Sequence, residues 1–204
     1  MDDLQSKNAR ALRVLIAKDV IKQLETKEII AKTGMFVGWS NKLNIVLDEP
    51  LAKQLQTEET CGVCAKGAAF VALVNRFDNL SGRDAVYEEY VKGTSVKVWQ
   101  LNTTNIHKYL HKYFDKFNLN EIESAFELWS SGRQVNEHYD GYLDRAQRHL
   151  DRAQRHLFDF NSLPIGTPAQ RMKTIMMNVI KNDGYFDANE YILYVKKNGY
   201  EDVV

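Results

Sequence analysis

The sequence predicts an α+β fold, predominantly helical with a small antiparallel sheet. Three observations lead there. Residues 4–24 place Leu12, Leu15, Ile16, Val20 and Leu24 at helical spacing, with Lys18, Lys22 and Gln23 on the other side. Residues 29–37 concentrate β-branched and aromatic side chains around a central Gly34, the composition of a strand or hairpin arm. The C-terminal half carries repeated apolar helical runs, each preceded by Asn, Asp, Ser or Thr.

Taken in order, the first helix leads into the 29–37 strand, whose expected partner is residues 44–47. Pro50 suits the first turn of a short helix over 51–55, because proline lacks only an N–H that a first turn leaves unsatisfied. The charged EET segment then leads into Cys61 and a helix of small residues through Val74. Residues 79–83 read as a turn, 85–90 as a helical piece and 95–101 as a short strand. Residues 102–105 supply capping chemistry for a helix running through His107, His111 and Phe117. A second helix over 119–129, capped by Asn118 or Asn120, should fold back on it as a helical hairpin. The SLPIGTP loop launches a helix over 169–182, and Asn182, Asp183 and Gly184 stop it before a last helix over 187–197.

One domain over residues 1–204 is expected, with a tandem heptad duplication at 143–157 inside an extended helix. LDRAQRH at 143–149 is repeated without change at 150–156. Seven residues are close to two turns, so the insertion returns to nearly the same face with only ~20° of drift. Identical copies point to a recent duplication or an engineered one, in a helix whose end can extend into solvent.

Lys plus Arg and Asp plus Glu both number 27, so no global field draws the chain to nucleic acid or an anionic membrane. Nucleic-acid binding would need a local patch. The longest apolar stretches fall well short of a bilayer span and the first residues, MDDLQSKNAR, are polar, so a cytoplasmic protein with reduced thiols is expected.

Four groups of residues invite a chemical reading. Cys61 and Cys64 form a Cys-x-x-Cys at an expected helix start, where backbone N–H groups favour thiolate and with it redox chemistry or metal binding. The simpler account makes both small buried hydrophobes in a closely packed helix with Ala65, Gly67, Ala68 and Ala69. His107 and His111, at i and i+4, would complete a Cys2His2 zinc set with the two cysteines, although the separation is far longer than in a compact zinc finger. Arg145, His149, Arg152 and His156 fall on one side of the duplicated helix as a basic stripe for phosphate or an acidic partner. The pairs Asp144 with Arg148 and Asp151 with Arg155 explain much of that charge as ordinary helix-surface support. NDGYFDANE at 182–190 is rich in oxygen ligands but lacks the calcium-loop spacing, and Glu121, Glu123 and Glu127 have no sequence-linked catalytic partner. No complete catalytic set emerges, so the expectation leans away from an enzyme.

IAKDVIKQL (16–24), CGVCAKGAAF (61–70), ESAFE (123–127) and NVIKNDGYF (178–186), in that order, resemble a group of small uncharacterised proteins of tailed bacteriophages and some bacteria. The blocks are short and scattered over most of the chain. The duplicated LDRAQRH and the pair His107 and His111 are not part of the shared pattern. The group has no assigned activity or cofactor to carry over; set beside a folded, neutral chain with no catalytic set, the resemblance leads to the expectation of an accessory protein in the host cytoplasm that binds, and inhibits or redirects, a host protein or defence system. Two other readings stand beside it: a protein that sequesters a nucleotide or signalling molecule, and a zinc or thiol protein centred on the Cys-x-x-Cys.

Overall fold

A computed structural model describes residues 2–38, 46–56, 61–77, 80–90, 97–128 and 158–200. The first helix, α1, is Asp2–Glu25 and buries Arg13, Ile16, Ala17, Val20 and Gln23, a stripe at three- and four-residue steps. Lys27, at φ 62°, ends it and turns the chain into strand β1, Ile29–Ala31. Gly34 makes the next turn, and β2, Val37–Gly38, follows.

β1 and β2 do not pair with each other. Both flank β3, Cys61–Val63, giving the order β1-β3-β2. β1 runs parallel to β3, with Ile29 opposite Cys61 and Ala31 opposite Val63, while β2 runs antiparallel to it. The expected small antiparallel sheet is thereby corrected: the fold is dominated by helix, and its core sheet is a short one built on a parallel pair; of the expected partner at 44–47, residues 44 and 45 lie outside the described residues. The missed strand lies inside the Cys-x-x-Cys segment. Cys61, Gly62 and Val63 are all buried, so three residues with no alternation looked like the start of a helix.

Pro50 precedes α2, Leu51–Gln56, as expected. The central helix α3, Ala65–Phe77, is buried on every face from Ala65 to Val74 and contacts α1, α2 and the sheet. The expected helical piece at 85–90 is a strand. One turn of helix, α4 (Gly82–Ala85), gives way to β4, Val86–Tyr90, which pairs antiparallel with β5, Lys97–Leu101, from Val86 opposite Leu101 to Tyr90 opposite Lys97. This hairpin stands apart from the core sheet.

Asn102 caps α5, Thr103–Leu110, by accepting from Asn105 N at 3.1 Å. The helix stops at Leu110 instead of running through Phe117, because Asp115 starts a new one, α6 (Lys116–Glu127), by accepting from Phe117 N and Asn118 N. Both helices pack on α3. After a 3-10 turn at Phe160–Ser162, a capping box between Thr167 and Gln170 opens α7, Pro168–Lys181, which lies along α1 and also touches α6. Asp187 caps the last helix, α8, Ala188–Asn198.

The core joins Ile16 and Val20 of α1, Phe70 and Leu73 of α3, Leu110 of α5, Leu119, Ile122 and Phe126 of α6, Met172 and Ile175 of α7 and Tyr191 of α8. Among the described residues no helix is long and apolar enough to cross a membrane. The duplicated heptads at 143–157 lie outside the described residues.

Candidate functional site

The richest gathering of titratable groups surrounds the first turn of α3. Cys64 is the residue before that helix: its carbonyl accepts from Ala68 N at 2.8 Å, while its own N–H donates to Met35 O at 2.6 Å. Two residues on, Lys66 is buried at 7% exposure, where the small residues beside it offer no partner. α6 supplies one. Lys66 Nζ forms an ion pair with the Glu123 carboxylate and donates to Asn120 Oδ1 at 3.0 Å. One turn further along α6, both carboxylate oxygens of Glu127 accept from Gly34 N, at 3.0 and 2.9 Å, fixing the turn between β1 and β2.

The local field decides the chemistry of each group. The Cys64 thiol is pushed up to about 12, first by burial and then by Glu123 and Glu127, which outweigh the helix N–H groups of Lys66 and Gly67. It is therefore a neutral thiol at neutral pH, the reverse of the activated cysteine that a helix start suggests. Burial also raises the Glu127 carboxyl, and Gly34 N–H and Arg171 pull it back only in part. On α5, His107 sits edge-on to Phe36 with ring centroids 5.8 Å apart. Burial, then Lys66, His111 and Lys116, bring it down from 6.5 to about 4. His111 caps the end of α5, its ring 6.3 Å from that of His107, and is lowered mainly by burial.

Cys64, His107 and His111 thus share one neighbourhood, organised around the Lys66–Glu123 ion pair. Cys61 is buried in β3, and neither cysteine is bridged. Zinc on the Cys2His2 set would have to displace the Cys64 thiol proton that burial holds tightly, and would sit near the Lys66 ammonium that already depresses both histidines. Among the described residues no group of three or more His, Cys, Asp or Glu side chains is placed to hold a metal ion. Arg145, His149, Arg152 and His156 lie outside the described residues.

The oxygen-rich 182–190 segment has a structural use. Asn178 pairs with the Asp187 backbone through Oδ1 (from Asp187 N, 2.8 Å) and Nδ2 (to Asp187 O, 3.2 Å). Asn118 does the same with Phe186, at 3.1 and 2.8 Å. Gly184, at φ 88°, passes so close to α1 that a Cβ would stand 2.5 Å from Arg10 O. These side chains anchor a turn between helices.

The residues that sequence reasoning missed are Lys66, Asn120 and the roles of Glu123 and Glu127. The signal was present: a single lysine inside AKGAAFVALV, apolar on all faces, must find a buried counter-charge, and ESAFE offers two carboxylates one turn apart. No protein-family model, curated protein or solved structure matches the chain.

Proposed function

We propose that this protein works by binding, as an accessory protein of the tailed-phage kind that acts on a host protein in the host cytoplasm and inhibits or redirects it. The observation that carries the reading is how the reactive residue types are used. Cys64 is a buried neutral thiol, Lys66 is paired with Glu123 and Asn120, and Glu127 holds the Gly34 turn. A cluster committed in this way ties α3 to α6 and to the sheet, leaving no activated nucleophile there.

The four sequence blocks that carry the resemblance to phage proteins support the same view. They fall on α1, on β3 with α3, on α6 and on α7 with its following turn, and these elements pack on one another. On this reading the resemblance, carried by mutually packed segments, reflects a common core, and partner recognition falls to surfaces outside the blocks.

Crosslinking followed by mass spectrometry, on the protein in its own biological setting, tests the proposal. A single host protein recovered in stoichiometric amount supports it. A native mass increased by one nucleotide favours the sequestering reading instead, and an increment of one zinc ion favours the metal reading. Deleting one LDRAQRH copy shortens the expected helix by about 10 Å while nearly keeping its face, so partner capture that survives the deletion makes the added length incidental.

A further inference from the structure

We propose that the corner where α1, the end of α3, the α5–α6 connection and the turn before α8 meet is a docking surface for a single strand of nucleic acid. Arg13 builds it. This guanidinium is buried, yet its Nε donates to Gly184 O at 2.6 Å, another of its nitrogens donates to Tyr113 O at 2.9 Å, and its plane lies 4.5 Å from the Tyr185 ring centroid. One cation therefore ties two separate stretches of backbone, at Tyr113 and at Gly184, to α1 and sits against the Tyr185 ring.

The rings form a platform. Phe77 and Tyr113 lie parallel, 3° apart with centroids at 5.6 Å, and Phe77 and Tyr185 keep 37% and 39% of their surface open. Positive charge frames them. Arg10 lies 5.3 Å over the same Tyr185 ring, and Lys112, beside Tyr113, lies 5.5 Å from the Tyr109 ring. Among the described residues neither Arg10 nor Lys112 has a carboxylate partner, whereas Lys53, Arg83, Lys173 and Lys181 each have one. Asp115, next along the chain from the platform, is occupied in capping α6.

Charge and shape together select the occupant. Every nucleobase has a face that stacks on an aromatic ring or an arginine lying over one, here the exposed Phe77 of the stacked pair and Arg10 on Tyr185, and a phosphate beside it meets Arg10 or Lys112. Several rings spread over an open surface suit consecutive bases of a strand better than a lone nucleotide, which needs an enclosing cleft to gain useful affinity. The net charge of zero does not oppose this, because binding follows the local patch. The inference is independent of the host-protein reading: it predicts binding by the purified chain alone.

The test is fluorescence anisotropy with a labelled single-stranded DNA and an RNA of mixed sequence, about 20 nucleotides long, titrated at several salt concentrations. Binding is expected to weaken with salt at a log–log slope of about −1.4 to −2.1, the value for two or three phosphate contacts on a single strand. Arg10→Glu with Lys112→Glu should weaken it at least about tenfold and Phe77→Ser at least about fivefold, while Lys196→Glu on α8 changes nothing. Ultraviolet crosslinking of the unaltered protein should attach the strand at Phe77, Tyr113 or Tyr185, a readout that does not depend on the variants folding. Absence of binding to both strands overturns the proposal. So does binding that Phe77→Ser leaves intact and that a base-free polyphosphate competes away equally well, which would make the corner a plain cationic patch.

Discussion

Gly67 on α3 and Phe36, just before β2, approach so closely that a Cβ on Gly67 would lie 1.5 Å from the Phe36 carbonyl oxygen and 2.7 Å from its carbonyl carbon. Backbone faces backbone there, so no side-chain rotation can make room. In an ordinary helix interior Gly→Ala stabilises by about 1 kcal/mol. Here the sign inverts: Gly67→Ala must push the Phe36 segment off the helix, at a cost of about 3 kcal/mol or more. Urea denaturation checks it, and a variant as stable as the parent would show that the sheet and α3 are not held at this distance.

Lys66 and Glu123 form a pair that neither can leave alone. Lys66→Met strands a largely buried carboxylate and Glu123→Leu strands a buried ammonium, so each single change should cost about 3 kcal/mol. The double variant removes both charges in favour of apolar side chains and should recover to within about 1 kcal/mol of the parent. A double-mutant cycle measures this. If the two losses simply add, the pair is not coupled and the organising role given to it fails.

What was legible beforehand follows from the length and separation of each signal. α1 and α7 announce themselves, because a dozen or more residues repeat the helical period and Thr167, Pro168 and Gln170 spell a capped start. β3 is three residues long and buried throughout, so it carries no period at all, and its neighbours on either side come from β1 and β2, earlier in the chain. The β4 strand was lost for a related reason: Val86–Tyr90 follows a single helical turn, and five residues with two adjacent glutamates fit either reading. At the site, the cysteines and histidines drew notice as residue types with known chemistry. What governs them is burial first and then the charges of Lys66 and Glu123, a pair whose members lie far apart along the chain and meet only after folding.

Cys64 supplies a direct check on thiol chemistry. At about 12, its thiol is ionised in only about one molecule in ten thousand at pH 8. Modification by a disulfide reagent should therefore proceed no faster than the chain opens, and accelerate sharply in denaturant. A chelator should leave the melting temperature unchanged. Fast native labelling, or a drop in melting temperature on chelation, would restore the thiol or zinc reading built on Cys61, Cys64, His107 and His111.

His107 and Glu121 give the stability of the fold two opposing pH dependences. His107 titrates at about 4 when folded against an ordinary 6.5, so between these values the unfolded chain binds more protons and stability rises with pH, reaching its plateau above 6.5. Glu121 is the mirror case. Burial raises its carboxyl from 4.5 to about 7, with Asp187 and Asp115 adding to burial and Asn118 opposing it. Between 4.5 and 7 the folded chain binds more protons, and stability falls as pH rises. Solvent reaches both groups, so each effect is screened to about 1–2 kcal/mol. In the parent the two largely cancel from pH 4.5 to 6.5; substitution uncovers one at a time. Glu121→Gln should raise stability at pH 8 and leave a rising slope through the acid range, whereas His107→Gln should leave stability falling as pH rises from 4.5 to 7. Melting temperatures taken at half-unit steps from pH 4 to 8 separate the two, and parallel curves for both variants would mean that neither group carries its charge penalty in the folded state.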